Sequence, residues 1–205
     1  MSAVLIAMSA GLVFAGWQLW RFQALEGRAQ ALLAGEYWTA ETLVPLFDAR
    51  SELQAWAETP GVRSRARQMS LSLTQAMSGS PAQIQREAAS VLMVSPVDAS
   101  AWMSLATASW AASNPALAYE AWKMSSLVAP REMEAVKRRL AFLLAIWPEA
   151  PDELKRQFFY QLRLMLSLNS RFGWEWYQLI QRVPAQVRKQ VEADGRAYGP
   201  PRSSP

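Results

Sequence analysis

The sequence contains no cysteine and no histidine among its 205 residues. Without thiols or imidazoles the chain cannot form disulfides, thiolate nucleophiles, histidine metal sites or imidazole acid-base pairs. Charged residues are also scarce, at 19% of the chain, whereas 51% of the residues are hydrophobic. These absences exclude most familiar catalytic arrangements, and we expect neither a cofactor nor a metal ion.

Glycine is scarce as well, since nine glycines stand against ten tryptophans and nine methionines. The twelve prolines lie mainly between apolar stretches rather than inside them, which is typical of a helical protein. A chain of this length has room for one compact domain with appendages. The composition therefore predicts an all-α fold.

Positive charge is in slight excess, with a formal net charge of +4. Most of the 21 basic residues are arginines, and they are dispersed along the chain rather than gathered into a stripe. Nucleic-acid recognition usually requires a basic patch on one face of a domain. We therefore expect no nucleic-acid partner.

The longest uncharged apolar run, SAVLIAMSAGLVFAGWQLW, extends from Ser2 to Trp20. A helix of this length, with a rise of about 1.5 Å per residue, would cross most of a hydrocarbon layer about 30 Å thick. Trp17 and Trp20 beside Arg21 are typical of a membrane interface, where indole rings prefer the headgroup level. We predict a transmembrane anchor at residues 1–21.

A cleaved signal peptide and a buried helix of a soluble protein are the alternatives for this run. A signal peptide needs a basic start and a small-residue cleavage site. Nothing basic except the terminal amine precedes Val4, and Gly16-Trp17 is a poor junction. Arg21 and Arg28 follow the run and favour a cytoplasmic domain, although a large domain can translocate despite so small a bias.

Turn residues divide the rest of the chain. Thr39 is predicted to cap one short helix and Asp48 a second, because Pro45 separates the two. A turn at residues 59–61 closes the second helix. Gly195 to Pro205 is too poor in large apolar residues to repay ordering and is predicted to be a disordered tail. The predicted segments are the anchor (1–21), a stalk with linking helices (22–63), a helical repeat domain (64–183), and a terminal helix with the tail (184–205).

A period of 34 residues runs through the middle of the chain. The shift superposes four pairs, which are Ser64 on Asp98, Leu71 on Leu105, Pro81 on Pro115, and Pro96 on Pro130. The first pair can cap the first helix of each unit. Ser80 and Asn114 can cap the second helix, immediately before a proline at its first position. The predicted helices are 65–78, 82–94, 99–112 and 116–128.

A third helix pair is predicted after the second unit. It consists of Glu132 to Ile146, a turn over residues 147–151, and a helix from Asp152 to about Leu168. The turn is out of register with the other two units, and the second helix is longer. We expect this pair to cap the stack, because helical repeats need a terminal element that covers the last apolar face.

The period and an alternation of large and small residues resemble the tetratricopeptide repeat. The matching positions of the second unit are Trp102, Leu105-Ala106, Ala118, Trp122 and Pro130. Ser109 replaces an aromatic residue that is usual in the family, and Gln68 and Ala88 stand where larger residues are usual in the first unit. The resemblance implies antiparallel helix pairs stacked into a solenoid.

The region from Val91 to Leu166 contains the segments SPVDASAWMSLATASW, LAYEAWKMSSLVAP and RRLAFLLAIWPEAPDELK. These segments resemble small VpsP-like proteins of bacterial polysaccharide-biosynthesis clusters, which are helical-repeat proteins with a single anchor. The resemblance covers less than half of the chain and contains no catalytic motif. It implies a role in exopolysaccharide assembly or export, at the bacterial inner membrane with a periplasmic C-terminal domain.

In such a solenoid, the first helices of the units form a concave surface. The residues predicted to line it are Met69, Leu73, Met77, Met103, Thr107 and Trp110. Adaptable methionines and a broad indole suit an amphipathic helix or an apolar peptide of a partner protein. The alternative is that neighbouring helices fill this surface as ordinary core.

The aromatic segment 172–177 and a group of carboxylates each have two interpretations. The aromatic residues can meet a partner or a membrane, or they can cover the open end of the solenoid. Glu149, Asp152 and Glu153 can act on a glycan as an acid-base pair, or they can complement the dipole at a helix start.

Two basic clusters are also ambiguous. They are Arg63, Arg65 and Arg67, and the run Lys137-Arg138-Arg139. Both can contact phosphates or anionic glycans. The alternative is a solvated helix surface, in which Glu134 pairs with Arg138 one turn later.

The sequence as a whole predicts a non-enzymatic scaffold or adaptor that is anchored in a membrane and holds protein partners of the polysaccharide-export machinery. Glycine-rich phosphate loops, GxSxG elbows and SxxK dyads are absent. Two alternatives stay open. They are a carbohydrate-acting enzyme that uses paired carboxylates, and a secreted soluble helical binding domain.

Overall fold

The computed structural model describes residues 2–35, 40–169 and 171–198. Within these residues the chain forms ten α-helices and one 3-10 helix and contains no β-strand, which confirms the all-α fold. The α-helices are α1 (Ser2–Leu33), α2 (Ala40–Trp56), α3 (Arg63–Ala76), α4 (Pro81–Val94), α5 (Ala99–Ala111), α6 (Pro115–Val128), α7 (Met133–Ala145), α8 (Asp152–Leu168), α9 (Phe172–Gln181) and α10 (Ala185–Tyr198); the 3-10 helix spans Trp147–Glu149.

The C-terminal part of α1 packs against the body of the protein. Phe22, Leu25 and Ala29 are buried in a cluster with residues of α2 and α3. The predicted stalk is therefore wrong, because this part of α1 carries an apolar stripe that folding covers. Among the helices of the described residues, none is long and apolar enough to cross a membrane.

α2 is one helix rather than the two that the sequence predicts. It contains Pro45, and Asp48 lies inside it instead of capping a second helix. A proline removes one helical hydrogen bond, but Leu46 and Leu53 are fully buried in the cluster with α1 and α3. This packing maintains the helix across the proline. Thr39, the other predicted cap, lies outside the described residues.

Three of the four predicted caps of the repeat are confirmed. Asp98 caps α5, Ser80 caps α4 and Asn114 caps α6, each through a side-chain oxygen that accepts a backbone N–H. Ser64 is not a cap, because it lies inside α3, which begins at Arg63 and has no side-chain cap. All four helices of the two units lie within two residues of their predicted bounds.

The C-terminal helices continue the stack. α7, the 3-10 turn and α8 agree with the predicted third pair to within one residue at each helix end. α10 continues through Gly195 to Tyr198, so the predicted disordered tail begins too early. Gly195 lets α10 approach α8 closely, since a Cβ atom there would lie 3.1 Å from Phe159 Cε1. Residues 199–205 of the predicted tail lie outside the described residues.

Two hydrophobic cores hold the helices together, and α3 contributes to both. The first core joins α1, α2 and α3, and includes Phe22 and Leu73. The second core extends from α3 to α10, and includes Leu71, Leu105 and Trp122. Leu71 and Leu73 are two residues apart and so point to opposite sides of α3. Leu105 and Trp122, two positions of the repeat pattern, are confirmed as internal packing residues.

Candidate functional site

A groove runs across α3, α5 and α7, the first helices of three successive pairs. Two adjoining hollows of about 250 and 330 Å³ form it, and both are lined by Gln75, Ser104 and Arg138. α5 packs directly against α7, whereas long polar side chains bridge the space between α3 and α5. This α3–α5–α7 groove is therefore not filled as core along its whole length.

The half of the groove between α3 and α5 is polar. Gln75 Nε2 donates to Ser104 Oγ at 2.9 Å, and Gln68 Nε2 donates to Asp98 Oδ2. Ser104 Oγ donates in turn to the carbonyl oxygen of Ser100 at 2.9 Å. Asp98 has a double role, since its Oδ1 accepts the backbone N–H that caps α5. A polar ligand can exchange hydrogen bonds with these side chains without leaving buried groups unpaired.

Arg138 lies at the centre of the groove and lines both hollows. Its Nη1 donates to Ser100 Oγ, and no carboxylate of the described residues forms an ion pair with it. The predicted pair with Glu134 is wrong, because Glu134 pairs with Lys137 at 2.8 Å and Lys137 also contacts Glu175 at 2.6 Å. The Arg138 guanidinium can therefore pair with an anionic group of a ligand.

The other half of the groove, between α5 and α7, is mostly apolar. Met103 and Phe142 are largely buried but form part of its wall, together with Ala141 and Ala145. Thr107 is exposed at this end. A ligand that spans the groove thus meets polar groups, one guanidinium and an apolar surface in succession.

Two of the six predicted groove residues, Met103 and Thr107, line the groove. Leu73 does not, because it is fully buried in the first core. Met69 and Met77 pack against that same core. The presence of α1 and α2 on this side of α3 explains the difference, since they cover the face of α3 that the sequence predicts to be free.

Trp110 also has a different environment from the predicted one. It is half-buried, and its ring packs against Tyr119 and Phe142 with centroid distances of 5.9 and 6.3 Å. Edge-to-face and tilted aromatic contacts of this kind stabilise a core. Trp110 is thus a packing residue of the second core rather than an anchor exposed on the concave surface.

The sequence did not place several residues in the groove, above all Arg138, which it indicated only as part of a basic run. The period itself contains the signal, because Arg138 follows Ser104 by 34 residues and Ala141 follows Thr107 by the same interval. The register of α3 is harder to predict. Gly79 adds one residue to the turn after α3, compared with the turn after α5, so that a uniform shift misplaces the side chains of α3.

Two of the three arginines of the first basic cluster are engaged in ion pairs within the fold. Arg65 pairs with Glu26, and Arg67 pairs with Glu58. Arg67 also donates to two backbone carbonyl oxygens, at 3.2 and 2.9 Å. These arginines join α3 to its neighbours, and the structure does not gather them into an anion site.

Arg139, in the second basic cluster, is fully buried. Its guanidinium donates to Gln161 Oε1 at 2.9 Å, to the carbonyl oxygen of Ser125 at 2.8 Å, to Ser125 Oγ at 3.2 Å, and to the carbonyl oxygen of Ala129 at 3.0 Å. Two of these acceptors are carbonyls at the C-terminal end of α6, where a cation also complements the helix dipole. Burial lowers the pKa of Arg139 to about 10, so that the side chain stays charged at neutral pH.

The candidate catalytic carboxylates lie at the start of α8. Glu149, Asp152 and Glu153 are all exposed, and the last two occupy the first turn of α8, where they complement its dipole. Glu153 lies 3.6 Å from Lys123 Nζ. In the part of the chain that the structure describes, no group of three or more acidic residues is arranged to hold a metal ion.

In the aromatic segment 172–177, some rings cover the end of the stack and others are exposed. Phe172 is buried, and Trp176 packs against Phe158 with a centroid distance of 5.8 Å, so these rings cover the end of the stack. Trp174 and Tyr177 are 67% and 51% exposed. Their outward position leaves part of the aromatic surface available to a ligand.

Comparison with protein-family models, with curated proteins and with solved structures finds no match. The tetratricopeptide and VpsP-like resemblances therefore stay predictions. The chemistry of the groove is the remaining guide to function.

Proposed function

We propose that the protein is a non-enzymatic adaptor of tetratricopeptide-like architecture that binds a segment of a partner protein in the α3–α5–α7 groove. The observation that carries this proposal is the position of Arg138, which lies between a polar hollow and an apolar hollow without a carboxylate partner among the described residues. A pocket with an apolar wall and a few directed polar groups is typical of a binding site.

The groove favours a partner segment that carries a carboxylate next to an apolar side chain. The carboxylate pairs with Arg138, and an Arg–carboxylate pair is a strong, directional contact. The apolar side chain packs on Met103 and Phe142. Gln68 and Gln75 offer amide groups to the backbone of the same segment.

The N-terminal part of α1 supports the proposal that the adaptor is attached to a membrane. Its exposed apolar side chains are Leu12, Val13, Phe14, Trp17, Leu19 and Trp20. Arg21 lies over the Trp17 ring, with 4.9 Å from its Cζ to the ring centroid. An apolar helix surface flanked by tryptophan and arginine is suited to a bilayer boundary. Attachment would confine the groove to two dimensions and raise the effective concentration of a membrane partner.

The setting of this adaptor is proposed from the VpsP-like resemblance alone. We place it in bacterial polysaccharide assembly or export, at the inner membrane, with the helical domain on the periplasmic side. The partner is then a protein chain of the same membrane complex.

Photocrosslinking from the groove tests the adaptor function. A photoreactive phenylalanine derivative at Thr107, which is exposed in the groove, should crosslink one partner chain in cells. The same derivative at Leu127, which is 74% exposed on α6, is the matched control and should not. Arg138→Glu should lower the crosslink yield about tenfold, because it replaces an attractive charge with a repulsive one. Equal crosslinking from both positions, or no effect of Arg138→Glu, would contradict the proposal.

Fractionation tests the membrane attachment separately. The full chain should sediment with membranes and resist carbonate extraction, whereas a chain without residues 1–20 should be soluble and helical. The truncation retains the first core, because Phe22 is the first residue of α1 known to be buried in it. Recovery of the full chain in the soluble fraction, or a mature N-terminus near residue 17, would refute the attachment.

A further inference from the structure

A second cleft, of about 370 Å³, lies between α9 and Lys137 of α7. It shares no residue with the α3–α5–α7 groove. Its apolar lining includes the buried Phe172 and the half-buried Trp176 and Leu179. Trp174 and Arg182 also line it and are exposed. The cleft is thus a small apolar surface bordered by charged and polar groups.

Trp174 gives this cleft an exposed aromatic platform. Its ring is stacked on Tyr177 with a centroid distance of 5.8 Å and an interplanar angle of 23°. Stacking restrains both rings, yet 67% of Trp174 and 51% of Tyr177 remain accessible. A restrained, exposed ring can take a flat apolar ligand surface at a low cost in conformational entropy.

The two cations beside the platform differ in their ion pairing. Lys137 is held between Glu134 and Glu175, and the hydrogen bonds to Glu134 and then Glu175 raise the pKa of Lys137. Within the described part of the chain, Arg182 forms no such ion pair. Its guanidinium and the amide of Gln178 are therefore the groups of the cleft that a ligand can engage directly.

We infer that this cleft binds an anionic oligosaccharide, with one pyranose ring on Trp174 and the carboxylate of that sugar paired with Arg182. A pyranose ring presents a flat C–H face and an edge of hydroxyl groups, and the cleft offers an aromatic face beside planar amide and guanidinium groups. Arg182 is suited to a carboxylate because its guanidinium can donate two parallel hydrogen bonds.

The composition of the cleft favours a sugar over a protein or a bilayer. Protein interfaces are depleted of lysine and glutamate, whereas Lys137 and Glu175 border this small platform. Insertion into a bilayer would bring the Glu175 carboxylate toward the hydrocarbon, which is unfavourable. The inference goes beyond the proposed adaptor function and does not depend on which chain occupies the groove.

Calorimetric titration of the full chain in mild detergent tests the inference. The probes are hexamers of galacturonate, guluronate and mannuronate, with maltohexaose as the neutral comparison. We expect at least one of the uronate hexamers to bind more tightly than maltohexaose. Trp174→Ala and Arg182→Gln should each weaken that binding about tenfold or more, and Trp174→Phe should retain most of it because a stacking ring remains. Tyr160→Ala is the matched control, since Tyr160 is an aromatic residue that is 62% exposed outside the cleft, and it should not change the affinity.

Thermal melting of each variant separates binding from folding, because Trp174 and Arg182 are exposed and their substitution should leave the melting temperature unchanged. The inference is overturned if none of the three uronates binds at millimolar concentration, or if binding survives in Trp174→Ala. Equal affinity for maltohexaose would overturn the assignment of Arg182 to a carboxylate. Failure of these titrations would leave crosslinking from Thr107 unaffected, so that the two proposals fail independently.

Discussion

Replacing Arg139 with methionine is expected to lower the free energy of unfolding by about 3 to 5 kcal/mol. Methionine occupies much of the same volume but donates no hydrogen bond. The carbonyl oxygen of Ala129 and the amide oxygen of Gln161 would lose the donors that Arg139 provides, and the carbonyl oxygen of Ser125 would keep only the backbone N–H of Ala129. Each buried acceptor left unpaired costs about 1 to 3 kcal/mol. The total is smaller than the sum of the largest values, because methionine also removes the cost of burying a charge.

Chemical denaturation at neutral pH measures this loss, and Arg138→Met is the matched control. Arg138 is the exposed neighbour of Arg139, and its substitution should change stability by less than about 0.5 kcal/mol. The folded protein lowers the pKa of Arg139 to about 10, below that of a free arginine. This group therefore makes stability rise with pH only above about pH 10, and the difference between the two variants should stay constant from about pH 6 to 8. Equal losses of stability for both variants would contradict the prediction that the buried hydrogen bonds of Arg139 stabilise the fold.

Trp122→Ala is the second substitution with a large expected effect, about 3 to 5 kcal/mol of lost stability. Trp122 is fully buried in the second core, and its Nε1 donates to the carbonyl oxygen of Arg139 at 3.1 Å. Alanine would leave a cavity between α6 and α7 and remove one of the hydrogen bonds to the carbonyl oxygen of Arg139. The packing around the cavity can relax only in part, which is why large-to-small changes in cores are costly.

Leu127→Ala is the control for Trp122→Ala, because Leu127 is on the same helix but 74% exposed. It should melt within a few degrees of the original protein, whereas Trp122→Ala should unfold at a much lower denaturant concentration. The double variant of Trp122 and Arg139 should lose less than the sum of the two single losses, since both side chains join α6 to α7 at the same contact. Wild-type stability of Trp122→Ala would contradict the alignment of the repeat at its best-matched position.

The parts of the fold that the sequence predicts well are those with local physical causes. The side-chain oxygens of Asp98, Ser80 and Asn114 each accept the backbone N–H three residues later, so these caps can be predicted without knowing the fold. Prolines at the first helical position act in the same local way. These signals placed α4 to α8 within two residues of their bounds.

The errors concern contacts between residues that are distant in sequence. Pro45 is a local signal for a break, but the buried Leu46 and Leu53 override it through packing against α1 and α3. Leu73 and Trp110 have the correct hydrophobicity for a binding surface, yet neighbouring helices cover them. Arg139 lies in a run of three basic residues that suggests a solvated surface, and only the position of α6 and α8 shows that it is buried.

The groove was predictable in its location and less so in its chemistry. Met103 and Thr107 line it as expected, because α5 has the best-defined register of the repeat. The position of the Arg138 guanidinium at its centre depends on how α7 packs against α5. The sequence contains many other arginines, and nothing in their immediate neighbours distinguishes Arg138 from them. Arg138 differs from the other arginines in its position in the helix stack, which places it in the groove.

The position of α3 between the two cores has a mechanical consequence. A force that pulls α1 away from the protein acts first on Leu73 and the rest of the first core. It reaches the groove through the rigid body of α3, whose Gln68 and Gln75 are hydrogen-bonded to α5 and its cap. The ion pair between Arg50 of α2 and Glu87 of α4 is a second connection between the N-terminal helices and the rest of the stack. Tension at the N-terminus would therefore be carried by α3, which is also one wall of the groove.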